Sequence, residues 1–252
     1  MIAPEKTNRA WLASAYGQSC LAAEKLHVDR ALRKISGPRV LQIGDTFDGR
    51  SLRAFDFPQL IKVNDGTTAG PESISTIIAD AAFLPFDASC LSAVVLPHVL
   101  EGHQLPHQVL REAQRVLMPE GHLILTGFNP ASILGLQRYL NPAAAYKGHY
   151  YSVKRVKDWL QLLGFDMVAS AMYQYAPLVK SDGLRNALNF INYAGDRWLP
   201  MSGGGYMISA KKREVGMRLV GKLAFSGARR KRQKLATVAS SKHASCPKNP
   251  NG

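Results

Sequence analysis

Short apolar runs alternate along this chain with longer segments of mixed polarity. Between Trp11 and about Ile35, the residues Trp11, Ala15, Leu21 (or Ser19), Leu26, Leu32 and Ile35 recur at loose helical spacing among Lys, Glu and Arg. This predicts a helix that Gly37-Pro38 stops. Arg39–Gly44 is then a β-branched run ending in the loop Asp45–Gly49, and Gln59–Val63 is a second run closed by Asn64-Asp65-Gly66. Third and fourth strands are expected near Ile74–Ala79 and Ser92–Leu96. Leu105 to Leu117 predicts a helix with Val109, Leu110, Ala113, Val116 and Leu117 on one face. Pro119-Glu120-Gly121 ends it, and His122–Thr126 begins a fifth strand. A helix at Val153–Leu163 is stopped by Gly164. Phe165–Tyr175 extends as a sixth strand, and Tyr206–Ala210 follows as a last one, entered through Gly203-Gly204-Gly205.

Strands alternating with helices argue for a parallel sheet covered on both faces, and two late strands separated by an irregular insert fit an antiparallel hairpin at its edge. The 252 residues suffice for one α/β core with decorations. The expected organisation is a helical segment over 1–37, one domain over 38–213, and a tail over 214–252. The net charge of +14 is concentrated in that tail. Twelve Lys or Arg and one acid, Glu214, lie beyond residue 210, so +11 sits there and only +3 on the body. The end of the chain, from Ala236, is rich in Ser, Ala, Lys, Pro and Asn and is expected to be disordered. Cys20, Cys90 and Cys246 have no C-x-x-C spacing, which fits a reducing compartment rather than a disulfide framework. No apolar h-region follows the first residues, and no apolar run approaches the roughly 20 residues of a membrane span. A cytoplasmic protein without a transmembrane segment is expected.

The most informative stretch is Asp80-Ala-Ala-Phe-Leu-Pro-Phe86, followed by the apolar run from Leu91 that ends in His98-Val-Leu-Glu101. A lone carboxylate and a histidine thus stand at two strand ends, where ligands sit in parallel α/β sheets. This block resembles the core of the class I S-adenosylmethionine-dependent methyltransferases of the methyltransferase-11 type. Leu110-Arg-Glu-Ala-Gln-Arg-Val-Leu-Met-Pro-Glu-Gly121 is similar to the pattern of that family's following helix. The resemblance covers roughly Val40 to Ala210. It implies a Rossmann-like three-layer sandwich, a mostly parallel seven-stranded sheet with an antiparallel C-terminal edge hairpin, and S-adenosylmethionine as methyl donor.

The family's acid-and-glycine motif after the first strand reads here as Gln42-Ile-Gly44-Asp45-Thr46-Phe47-Asp48-Gly49. Gly44 matches the first glycine, Gln42 stands for the acid and Thr46 for the second glycine. The third is Asp48 or, with one inserted residue, Gly49. Glycines there let the backbone approach the methionine part of the cofactor, and Asp45 could supply the charge that Gln42 lacks. The same residues also suit a plain strand-to-helix turn. At the end of the second strand, Asn64 or Asp65 would meet the ribose hydroxyls. Asp65 lies 21 positions beyond Gly44, near the ~20-residue spacing of a ribose carboxylate, though an Asx-Gly turn explains the pair equally well. Asp80 would accept from the adenine amine while the Ala81 N–H serves a ring nitrogen; the competing reading is a turn or N-cap residue.

His98 is expected to line the methyl-transfer pocket, as a general base or, more simply, as a wall or hydrogen-bonded structural histidine. His98, His103 and His107 lack the ligand spacing of a metal site, and none is expected. Tyr146, Tyr150, Tyr151, Tyr173, Tyr175, Tyr193 and Trp198 fall in the inserts that cover the acceptor in this family, or pack the sheet edge. Met217–Phe225 could form a short basic amphipathic helix. The cluster Arg229–Lys234 suggests phosphate contact, so nucleic acid or an anionic surface is a candidate partner of residues 211–252. The expected function is methyl transfer to an unidentified acceptor. The alternative is a non-catalytic cofactor-binding module, a pseudo-methyltransferase that docks nucleic acid or a protein through its tail.

Overall fold

The central strand explains the rest of the architecture. Leu91–Pro97 (β4) is apolar almost throughout and every residue in it is buried, as a strand covered on both faces requires. In this computed structural model, which describes residues 4–44, 46–47, 57–64, 75–140, 146–176 and 202–213, β4 lies between Arg39–Ile43 (β1) and Leu117–Phe128 (β5). Gln59–Asn64 (β2) and Ser75–Ile78 (β3) extend the sheet beyond β1, all in parallel. On the other side Gly205–Lys212 (β7) inserts antiparallel between β5 and Phe165–Tyr173 (β6). The order β3-β2-β1-β4-β5-β7-β6 makes seven strands, parallel but for β7, so the predicted sheet and its antiparallel edge are both present.

One face packs against Pro106–Val116 (α4) and Val153–Leu162 (α6). Val109, Leu110 and Ala113 from the first, and Val156 and Leu160 from the second, are fully buried there. The other face is covered by Pro4–Ala13 (α1) and Ala15–Leu32 (α2), through Trp11, Tyr16, Cys20, Val28 and Leu32. Two short helices, Val99–Gly102 (α3) and Ile133–Leu140 (α5), follow β4 and β5. Among the described residues no helix is long and apolar enough to cross a membrane. Residues Met1–Glu214 form one unit; Val215–Gly252 form a second, which lies outside the described residues. That range holds the Met217–Phe225 segment and the basic cluster. Asp45, Gly49, Asp65, Tyr193 and Trp198 are outside them as well.

Three local expectations change. The single helix predicted from Trp11 is two helices that part at Ser14, whose Oγ accepts from the Gly17 N–H (3.1 Å) and donates to the Trp11 carbonyl (2.6 Å). That hydroxyl caps the start of α2 and ends α1 together. The buried face of α2 is also not the predicted stripe: Leu26 is 52% exposed, whereas Tyr16, Cys20, Glu24, Val28 and Leu32, at every fourth position, are buried. A carboxylate in the middle of that face hid it. Finally, Pro119-Glu120-Gly121 does not separate a helix from a strand but lies within β5, with Glu120 at φ 62°.

Ser14→Ala removes both bonds at the helix junction and is expected to destabilise the fold by about 1 kcal/mol, read as a lower urea midpoint. An unchanged midpoint would mean that packing of Trp11 alone holds the two helices in register.

Candidate functional site

Each of β1, β3 and β4 ends at its carboxyl terminus in a turn, and these turns surround a cavity of about 870 Å³. Its walls are Ile43 at the end of β1 with Gly44 and Thr46 after it, Ala79 and Ala81 after β3, and Pro97 at the end of β4 with His98, Val99 and Glu101 to Gln104 after it. Tyr146–His149, Tyr151 and, from α1, Asn8 and Leu12 complete it. This is the position where open α/β sheets bind ligands, in a size range typical of small-molecule sites.

The loop after β1 is shaped by Gln42. Its buried side-chain amide donates to the carbonyls of Gly44 (3.0 Å) and Phe47 (2.9 Å), so Gln42 acts on the loop and is not part of the cavity wall. Thr46 Oγ1 donates to the Pro97 carbonyl (3.1 Å), tying the loop to the end of β4. Gly44 has φ +89°, a conformation open to glycine and strained for other residues. It presents bare backbone to the cavity. Asn64 is the buried last residue of β2, away from the cavity lining.

Asp80 sits half-exposed at the rim, beside the lining residues Ala79 and Ala81. Its Oδ1 accepts from the Ala82 N–H (2.8 Å) and lies 2.9 Å from His103 Nε2. Because the Leu105 N–H donates to His103 Nδ1 (3.0 Å), the ring proton belongs on Nε2 and is donated to Asp80. The Ala82 bond, and then His103, hold the Asp80 carboxyl below the usual carboxylate range. The Leu-Pro-Phe turn that follows is gripped from α4. Arg115 donates to the carbonyls of Leu84 and Phe86, and Glu112 accepts from the Leu84 N–H while pairing with Arg115. The charges of the family-like helix pattern thus fix the turn that carries Asp80 and Ala81.

His98 anchors the floor. It has the left-handed φ of 55° and is fully buried, stacked on Phe128 with ring centroids 4.1 Å apart. Its Nε2 lies 3.0 Å from Oε2 of Glu24, and its Nδ1 lies 3.2 Å from Oε1 of Glu101. Glu101 Oε1 also accepts from the Phe128 N–H (2.7 Å). Burial alone would lower the imidazole pKa, but Glu24 and then Glu101 outweigh it and push it up to about 10. With both nitrogens engaged by carboxylates, His98 has no free lone pair with which to accept a ligand's proton. Glu24 is the functional residue that sequence reasoning missed. Its signal was the i, i+4 series Tyr16-Cys20-Glu24-Val28-Leu32, in which one member is acidic.

The roof is tied down by reciprocal bonds. Asn8 Nδ2 donates to the Lys147 carbonyl (2.8 Å), and the Lys147 N–H donates to Asn8 Oδ1 (2.7 Å). The His149 N–H donates to the Glu101 carbonyl (2.8 Å), and Gly148 passes so close that a Cβ would stand 2.6 Å from that oxygen. Of the predicted aromatics, Tyr146 and Tyr151 line the cavity, while Tyr173 and Tyr175 are buried outside its lining. His98, His103 and His107 do not converge: His103 pairs with Asp80 and His107 packs on Trp159.

These features fit the cofactor expected from the sequence. Bare backbone at Gly44, a rim carboxylate at Asp80 and buried carboxylate oxygens beneath the cavity suit a ligand with an amino-acid part, an adenine and a positive centre. Residues 49–125 match the family described as Methyltransferase domain, of the methyltransferase-11 type. The chain is 33% identical over 145 residues to the Uncharacterized protein YafS of Escherichia coli (strain K12), covering 56% of each. It is 28% identical over 110 residues to a demethylmenaquinone methyltransferase of Clavibacter sepedonicus, covering 40% of this chain and 45% of that one. The chain spans about half the length of these curated relatives. In fold it is similar to an S-adenosylmethionine-dependent methyltransferase of Thermotoga maritima, a possible histamine N-methyltransferase. The TM-score is 0.56 at 15% identity, over 81% of this chain and 94% of the other.

In the unfolded chain the imidazole keeps its second proton only below about pH 6.5; in the folded protein it keeps it up to about 10. The stabilisation from His98 is therefore complete below pH 6.5 and is lost as pH rises through 10. His98→Asn, a residue that tolerates left-handed backbone, leaves Glu24 and Glu101 without their shared cation. It is expected to lose about 3–5 kcal/mol at pH 7. The gap to wild type should narrow by about 1.4 kcal/mol per pH unit toward pH 10. Urea denaturation across that range checks this; a gap that does not change with pH contradicts the protonated assignment.

Proposed function

We propose that this chain, whose residues 49–125 match the Methyltransferase domain family, is a class I methyltransferase of the methyltransferase-11 type that transfers a methyl group from S-adenosylmethionine to a small acceptor. The observation that carries the proposal is the convergence, on one cavity, of the Gly44 backbone, the Asp80–Ala81 turn and the charged floor at His98. Bound there, S-adenosylmethionine supplies a methyl group already activated by its sulfonium.

The chain's own residues hold and orient. Gly44 lets its backbone approach the amino-acid end of the donor, within a loop that Gln42 and Thr46 brace. Asp80 accepts from the adenine amine and the Ala81 N–H donates to a ring nitrogen, on a turn clamped by Arg115. Asn64 lies away from the cavity lining, so Asp65, next in sequence, stands for the ribose end. Asp45 and Gly49 belong to the same loop as Gly44 by sequence.

Neither His98 nor the phenols that line the cavity are poised to remove a proton. His98 has both nitrogens engaged, and burial raises the pKa of the Tyr146 and Tyr151 phenols, so they are donors. Catalysis on this reading comes from alignment and from excluding water under the roof formed by α1 and the Tyr146–Tyr151 segment. That roof favours an acceptor small enough to be enclosed, and one relative is named as a demethylmenaquinone methyltransferase. The acceptor side of the cavity is then its Asn8, Leu12, Tyr146 and Tyr151 end.

Titration calorimetry with S-adenosylmethionine tests the reading. The wild type should bind, and Asp80→Ala should weaken binding by about 1.5 kcal/mol, roughly tenfold in Kd, the lower range for a hydrogen bond to a charged group because Asp80 is half-exposed. A folded variant with unchanged affinity would reduce Asp80 to capping the turn through Ala82.

A further inference from the structure

The proton count of the buried floor has a chemical consequence. Two contacts, Glu24 Oε2 to His98 Nε2 and Glu101 Oε1 to His98 Nδ1, must each contain a proton, because otherwise lone pairs face each other at 3.0–3.2 Å. A neutral imidazole brings one of them. The second resides on the ring or on a carboxylate, and in either arrangement the three groups together carry one negative charge. Among the described residues no cation other than His98 pairs with either carboxylate, although Lys147 lines the same cavity. The other titratable groups that sense Glu24 or Glu101 are the Cys20 thiol and the phenols of Tyr146, Tyr150, Tyr151, Tyr173 and Tyr206, all kept protonated by burial first and by those carboxylates. The guanidinium groups of Arg138 and Arg155 lie over the Tyr150 and Trp159 rings. Meanwhile Glu24 Oε1 and Glu101 Oε2 are buried without a hydrogen bond, and Glu101 and His98 form part of the cavity wall.

A buried, uncompensated charge is expensive unless an opposite charge approaches it. We infer that the Glu24–His98–Glu101 array selects the charge of the cavity's ligand, with Glu24 the specificity-determining residue: it favours a ligand with a positive centre over its neutral counterpart. This rests on the methyl-donor reading, in which the pair in question is the sulfonium S-adenosylmethionine and the thioether S-adenosylhomocysteine. The two ligands have the same adenosine and amino-acid groups, so every other contact cancels in their affinity ratio. Glu24 lies on α2, outside the residues 49–125 that match the family.

The test is calorimetric titration of both ligands at pH 6, with the protonation of His98 in each variant read from its imidazole nitrogen resonances. Glu24→Gln preserves side-chain length and an oxygen for the His98 N–H while removing the negative charge. It should weaken S-adenosylmethionine relative to S-adenosylhomocysteine by about tenfold, the order of one unit charge acting in a protein interior. Glu24→Asp, which keeps the charge, should hold the ratio near that of the wild type. If Glu24→Gln does not fold, Glu101→Gln removes the same charge from the other arm and keeps an acceptor for the Phe128 N–H, with the same expected change. An unchanged ratio in the folded Gln variant, or an equal loss in Glu24→Asp, overturns the inference while leaving the donor site standing. A wild type that binds neither ligand overturns the donor reading and this inference with it.

Discussion

One buried interaction joins the parts of this protein that make its cleft: the imidazole of His98 held between Glu24 and Glu101. Glu24 belongs to α2, His98 to the end of β4, and Glu101 to α3, with its carboxylate also taking the Phe128 N–H at the end of β5. Three ionisable groups out of water are tolerated only when their charges are shared. That requirement fixes where α2 crosses the sheet and keeps His98 in a left-handed conformation that aims its ring inward between two acids. Phe128 and Tyr146 pack around the ring and make the surroundings apolar, which strengthens each electrostatic contact within them.

The cleft is completed from chain segments far apart in sequence. Asn8 joins α1 to Lys147 by a reciprocal pair of bonds from its side-chain amide to the Lys147 backbone, and the His149 N–H reaches the Glu101 carbonyl. The roof is therefore attached to the same turn that carries the charged floor. Opposite it, Arg115 and Glu112 hold the Leu84–Phe86 turn from α4, so the rim that presents Asp80 is positioned by a helix rather than left to a loose loop. A reaction that relies on alignment and dryness rather than on a protein base needs this kind of rigid surround.

The sheet was legible because its strands are short apolar runs bounded by Gly, Pro and Asp, and β4 was the clearest of them. The antiparallel edge followed from the late strands after Phe165 and around Tyr206. Less legible was anything set by a polar residue in an apolar setting. Glu24 sits where periodicity expects a hydrophobe, which displaced the predicted face of α2 toward the exposed Leu26. Ser14 looks like any helical residue until its hydroxyl is seen to cap. At the site, Gly44 and Ala81, implied by the family resemblance, and His98, read from a strand end, all reach the cavity wall, whereas Gln42 and Asn64 stand behind it. The role of Arg115 and Glu112 was not legible, because their target, the backbone of a distant turn, leaves no trace in helical spacing.

The protonation of His98 is the point on which this account turns. Nuclear magnetic resonance of the imidazole nitrogens at pH 8 measures it directly. Both nitrogens protonated at that pH, with no titration near the ordinary histidine value of 6.5, is the predicted result. A neutral ring with one bare nitrogen, titrating near 6.5, would contradict the proton count that leaves the floor with a single negative charge.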